Sequence, residues 1–185
     1  MTTVSEAIKK RHSARAFTDR DVDIDTVKSI IQIAKQSPSG VNTQPWNVYV
    51  LSGDARDKLV NEATSRYDQG KMDGQEYLVY PKEMPDWYKE RRRAVGWAMY
   101  GAIGIEKGDT EKMMAQGRKN YEFFGAPVGI FITVKNCVGP NGWGHVGHFI
   151  QNVCLLAIEN GLATCLQEAW ACLLYTSDAA DDVVG

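Results

Sequence analysis

The sequence predicts a single mixed domain of helices and short strands. Three observations support this. Stretches with apolar residues at helical spacing are interrupted by three strand-like runs, at 47–52, 127–134 and 162–166. No internal repeat and no low-complexity linker divides the chain. Its 185 residues, 44% hydrophobic and 24% charged, are enough for one full core of ordinary globular composition.

The elements follow in order. Val4, Ala7 and Ile8 share a helical face, and Lys9, Lys10 and Arg11 suit that helix's C-terminal end. The polar stretch 11–22 reads as irregular. Asp23 or Asp25 can cap a second helix with an apolar face of Val27, Ile30, Ile31 and Ala34. Pro38 ends it. A strand at 47–52 follows, then Asp54 opens a helix over about 55–67. Residues 68–90 are turn-rich and aromatic, punctuated by Pro81 and Pro85. Helices are expected over about 85–103 and 109–124. In the first, Glu90-Arg91-Arg92-Arg93 reads as a solvated face, with phosphate contact as the minor alternative. The β-branched run 127–134 suggests a strand buried on both faces. The helix expected at 145–159 is apolar nearly all round, which suits a core or a subunit interface. Asn160-Gly161 signals its C-cap, before the short strand at 162–166.

Charge and cysteine usage narrow the function classes. A net charge of -2, from 21 basic and 23 acidic residues, gives no general pull toward nucleic acid or an anionic membrane. The first residues have no apolar core with a small-residue cleavage site, so no signal peptide is expected. The apolar runs are too short to span a bilayer. Cys137, Cys154, Cys165 and Cys172 are widely spaced in apolar surroundings, which suits buried free thiols in a reducing, cytoplasmic setting.

The common catalytic constellations are not met. His145 and His148 can share a helix face, but no third metal ligand accompanies them. Ser13 and Ser39 lack the G-x-S-x-G context, and neither a P-loop nor a strand-coupled G-x-G-x-x-G occurs. Two polar clusters remain. Arg11-His12-Ser13-Ala14-Arg15 packs two guanidinium groups, an imidazole and a hydroxyl into five residues, which suits a phosphate and an adjoining polyol. A solvated loop is the plain alternative. In Ser37-Pro-Ser-Gly-Val-Asn-Thr-Gln-Pro-Trp46, backbone N–H groups near Ser39 and Gly40 and the amides of Asn42 and Gln44 can meet a heterocycle edge. Gly40 permits close approach of a planar ligand, and Pro38 and Pro45 stiffen the loop. A merely capped turn is the alternative here.

Taken in order, RHSARAF, SPSGVNTQPWNVYV, NYEFFGAPVGIFIT and GHFIQNVCLLAIENGLATCLQEAW resemble the FMN-dependent nitroreductase family. The similarity is greatest to the branch that reduces nitroaromatic compounds and carries a helical excursion before FFGAPVG. The resemblance spans 1–171 as one FMN-binding domain. It implies an α+β fold, with helices flanking a central, mainly antiparallel sheet, and a homodimer with FMN at the interface. In that likeness Arg11, His12, Ser13 and Arg15 hold the FMN phosphate and ribityl chain. Pro38, Ser39, Gly40 and Asn42 line the flavin ring. The backbone of Gln167 and Glu168 approaches flavin N5, and Asn120 meets the pyrimidine edge.

The implied reaction is ping-pong hydride transfer from NADH or NADPH, through the flavin, to a nitroaromatic or similar electron-poor acceptor. No side-chain nucleophile is required. Trp87, Tyr88, Trp97, Tyr100, Tyr121, Phe123 and Phe124 are expected to divide between pocket wall and core. An ene-reductase, another flavin reductase, a dehalogenase or a flavin binder without turnover remain alternatives, because fold does not settle substrate. Past Trp170 the resemblance stops. Residues 172–185 look like a non-native tail on a shortened chain lacking its C-terminal strand elements, and poor stability and flavin retention are the expected results.

Overall fold

The computed structural model describes residues 2–71, 78 and 80–172, the Cys172 side chain excepted. The tail expected at 172–185 lies outside them, apart from the Cys172 backbone. Tertiary packing divides the chain into two units, Met1–Asp57 with Gly125–Leu166, and Lys58–Phe124 with Gln167–Gly185.

The first unit is built on two strands, β1 (Trp46–Ser52) and β2 (Val128–Val134), paired antiparallel from Trp46↔Val134 to Ser52↔Val128. Helix α1 (Val4–Lys10) starts in a capping box between Thr3 and Glu6. Of its expected apolar face only Ala7 is buried, whereas Val4 is 70% exposed and Ile8 is exposed too. Helix α2 (Ile24–Ala34) is capped by Asp23, whose carboxylate accepts from the Asp25 and Thr26 N–H groups. Its Val27, Ile30 and Ala34 are buried.

Helix α6 (Asn141–Glu159) runs through the middle of this unit and begins one turn earlier than expected. Its end is a Schellman motif. Leu162 N–H donates to Ala157 O at 2.9 Å and Gly161 N–H to Ile158 O at 3.1 Å, with Gly161 at φ 71°. Val146, Phe149, Val153 and Ala157 form one buried face. They close a core with Ile30, Ala34 and Trp46. The opposite side is half-exposed, so the all-round burial expected of α6 is not reached within this chain.

Two other expectations are corrected here. In β2 only Gly129 is fully buried and Thr133 is exposed, because the core built with α6 packs against Ile132 and Val134 on one face of the strand. No strand forms at 162–166. A single parallel bridge, Ser13↔Thr164, stands in its place, because the facing stretch is irregular and accepts only one ladder position.

The second unit contains most of α3 (Gly53–Asp68), then α4 (Asp86–Ala102) and α5 (Thr110–Arg118). No residue of α4 is buried, so Arg91, Arg92 and Arg93 are solvated. Helix α5 was expected to reach residue 124 but ends at Arg118. A 3-10 stretch follows in which Phe123 (φ 51°) and Phe124 (φ 53°) turn left-handed. That turn buries both rings, and Phe123 stacks on Trp170 at 4.6 Å, so aromatic packing overrides helix continuation. Arg118 grips Asp68 with two guanidinium nitrogens at 2.8 and 3.1 Å and also pairs with Glu122. Among the described residues no helix is long and apolar enough to cross a membrane.

Candidate functional site

The first polar cluster leaves α1 as an extended strip. Arg11 caps the helix, its N–H donating to Ala7 O at 2.9 Å. Ala14 N–H donates to Thr164 O at 3.0 Å, and this bond with the Ser13↔Thr164 bridge pins the strip beside the end of α6. His12 donates from Nδ1 to Lys10 O at 3.0 Å, which fixes its tautomer. The Arg11 guanidinium, half-buried, makes no hydrogen bond or ion pair with a described residue. Arg15 reaches Ser13 O at 3.5 Å. Burial pushes the Cys154 thiol up, with the Thr164 hydroxyl and the Arg11 charge opposing. Burial likewise raises Cys165, with Arg15 opposing. Both guanidinium charges are therefore felt along the 154–165 segment. Cys137, expected to be buried, is exposed.

The second cluster begins where α2 stops. The buried Ser37 hydroxyl donates to Ala34 O at 2.6 Å and accepts from Asn152 Nδ2 at 2.7 Å. His148 Nδ1–H donates to Pro38 O at 3.3 Å, and Gly40 N–H donates to His145 Nε2 at 3.2 Å. The loop then twists through three left-handed non-glycine residues, Val41 (φ 44°), Asn42 (φ 56°) and Gln44 (φ 45°). Gln44 N–H closes it onto Ser39 Oγ at 2.9 Å. Two readings from the sequence change. The Gly40 N–H, offered there to a ligand, is taken by His145. The planar group that Gly40 admits at close range is the His145 imidazole: a Cβ on Gly40 would sit 3.1 Å from Nε2. Ser39 N–H and the exposed side-chain amide of Asn42 have no partner among the described residues.

Asn120, Gln167 and Glu168 belong to the second unit. Gln167 Nε2 donates to Asn120 O at 2.8 Å and to its Oδ1 at 3.3 Å, while Asn120 Nδ2 donates to Gly117 O at 2.9 Å. Asn120 and Gln167 are thus tied to each other and to the local backbone. Glu168 is exposed, and its N–H has no partner among the described residues. Of the aromatics, Tyr121, Phe123 and Phe124 are core. Trp97 and Tyr100 line an open cleft of about 450 Å³ with Lys89, Arg92 and Arg93.

Sequence reasoning missed the loop-holding role of His145, His148 and Asn152. The available signal was their spacing, which sets three polar side chains in one stripe of an otherwise apolar helix.

The family model described as the nitroreductase family matches residues 8–183. The nitrobenzene nitroreductase of Ectopseudomonas oleovorans is 32% identical over 170 residues, which are 91% of this chain and 74% of that protein. The 4-nitrobenzoate reductase of Nocardioides sp. (strain LMS-CY) is 34% identical over 168 residues, 88% of this chain and 67% of that one. The crystal structure of the FMN and NADPH-dependent nitroreductase NfnB from Sphigopyxis sp. strain HMH matches with a TM-score of 0.92. Identity there is 37%, over 97% of this chain and 81% of that one. The chain belongs to the nitroreductase family, and its helix-rich α+β fold with a small antiparallel sheet is that family's fold.

Proposed function

We propose that this nitroreductase-family chain is an FMN-dependent oxidoreductase that takes hydride from NADPH or NADH and reduces nitroaromatic compounds. The observation that carries the reading is the Arg11–Arg15 strip. Its Arg11 guanidinium has no partner among the described residues, and it is pinned to Thr164 in a chain whose relatives are named for nitrobenzene and 4-nitrobenzoate. The donor set fits the phosphate end of FMN. Arg11 and Arg15 supply cationic N–H donors, and the Ser13 hydroxyl supplies a neutral one for the neighbouring polyol. Bound FMN supplies the hydride chemistry, and the protein's part is to bind and orient it. In this reading Pro38, Ser39 and Asn42 fix the edge of the ring, and Gly40 holds their loop in place through His145. Glu168 offers an N–H that has no partner among the described residues, and Asn120 and Gln167 act through their bond to each other. Exposed Val4, Ile8, Ile33, Val41, Trp143 and Leu166 support a homodimer. Free Cys137, Cys154 and Cys165 support a cytoplasmic setting.

The test has two steps. The visible absorption of the purified protein is recorded with and without added FMN. NADPH and NADH oxidation is then followed with nitrobenzene and with 4-nitrobenzoate. Flavin binding and acceptor-dependent oxidation are expected, against the poor flavin retention that the sequence alone suggested. A protein that takes up no FMN, or takes it up and never turns over, overturns the reading.

A further inference from the structure

We propose that His145, His148 and Asn152 are positioning residues that hold the 37–44 loop in its left-handed, ligand-ready conformation. The inference rests on the flavin reading above for what the loop is held ready for, but the brace is visible without it.

Three hydrogen bonds run from one helical stripe to the loop in antiparallel order. Asn152 binds Ser37, His148 binds Pro38 and His145 binds Gly40. The stripe is itself rigidly based. The interleaved Val146, Phe149 and Val153 are locked in the core, so the three polar groups sit on a helix that cannot roll.

The loop needs such support. A β-branched residue at positive φ is a strained conformation, and strain of this kind persists only where the surroundings over-determine the backbone. Val41 has φ 44° and is 96% exposed, so no packing of its own holds it there. The restraint comes from its flanks, namely the Gly40–His145 contact on one side and the Gln44–Ser39 closure on the other. Gly40 is integral to the brace, because a Cβ there would press on Nε2 at 3.1 Å and on Cε1 at 3.3 Å.

The same bonds assign the tautomers. His145 accepts at Nε2, so that nitrogen carries no proton. His148 donates from Nδ1. These histidines therefore act in the brace as shaped hydrogen-bonding groups of fixed tautomer.

The test uses the full chain stripped of flavin. FMN is titrated by fluorescence quenching into the wild type, His145→Ala, His145→Gln and Asn152→Ala. Exchange of the Gly40 amide hydrogen is measured on the flavin-free forms. Losing one such hydrogen bond should weaken FMN binding about tenfold in His145→Ala and about fivefold in Asn152→Ala. His145→Gln keeps an acceptor oxygen within reach of Gly40 and should recover to within about threefold of wild type. Gly40 exchange should speed up about tenfold in His145→Ala and stay slow in His145→Gln. A purely structural loss would lower the melting temperature and would not discriminate between the two substitutions.

Wild-type FMN affinity in His145→Ala, or equal loss in His145→Ala and His145→Gln, overturns the proposal. If His145→Ala does not fold, Asn152→Ala decides by the same criterion. If the wild type binds no FMN, the flavin reading fails, and Gly40 exchange alone judges the brace. Exchange unchanged by His145→Ala then refutes it.

Discussion

Replacing Phe149 with alanine removes the side chain at the centre of the first unit's core. The ring is 0% exposed and stacks on Trp46 with centroids 4.9 Å apart and planes 15° from parallel. It is flanked by Ile30, Ala34, Val146 and Val153. Two losses add. Truncating a buried aromatic to alanine costs about 3–5 kcal/mol, the spread depending on how far the walls collapse. The stack itself contributes about 0.5–1.5 kcal/mol of that beyond burial. Collapse is limited here. Ala34 on the facing helix is too small to fill the space, and β1 holds Trp46 in register with Val134. A loss of about 4 kcal/mol is therefore expected, a large share of the ~5–15 kcal/mol typical of a domain. The assay is urea unfolding followed by tryptophan fluorescence, with Trp46 reporting on the missing partner. Phe149→Leu, which keeps most of the volume and loses only the stack, should cost less than half as much. A Phe149→Ala protein within about 1 kcal/mol of wild type would refute the placement of this ring at the core's centre.

Arg11→Ala should weaken FMN binding by about 1.5–3 kcal/mol, as expected for a charge-assisted bond to phosphate, and flavin titration showing equal affinity would remove Arg11 from the site. Gly142→Ala would put a Cβ 2.8 Å from Val138 Cγ1 and 3.3 Å from Val134 Cγ2, so thermal melts should show destabilisation of about 1–3 kcal/mol. The Arg118 guanidinium hydrogen-bonded to Asp68, and the Asp25 N–H and Thr26 groups bonded to Asp23, hold both carboxyls below their ordinary value. Because the folded pKa lies lower, their contribution is fully present above about pH 4 and is lost as pH falls through the folded values. The melting temperature should therefore drop on acidification below about pH 4, less steeply in Asp68→Asn. An identical acid limb in that variant would show that the pair contributes nothing.

What could be read from the sequence is what short-range chemistry dictates. The Asp23 cap, the apolar face of α2, the Pro38 stop and the Asn160-Gly161 ending each depend on residues within a few positions of one another, and each is where it was expected. The antiparallel sheet was legible only through resemblance, since strand-like composition does not name a partner. The misses are long-range. Whether α5 continues past Arg118 depends on Trp170, against which Phe123 stacks. Whether 162–166 forms a strand depends on the irregular strip at Ser13. In the candidate site, the donors near Ser39 and Gly40 were visible. That Gly40 is already taken was not, because its partner His145 lies 105 residues away.

The first unit is interrupted in the chain by residues 58–124, and this orders events during synthesis. When β1 and α2 emerge from the ribosome, the elements that cover them, β2 and α6, have not been made. At ~5–20 residues per second, several seconds pass before α6 is complete. Throughout that interval Ile30, Ala34 and Trp46 present an open apolar surface, the kind of substrate that chaperones bind. The Arg11 strip waits longer still, because its anchor, Thr164, is translated after α6. Under the proposed function, flavin uptake at this strip therefore has to await the synthesis of that anchor.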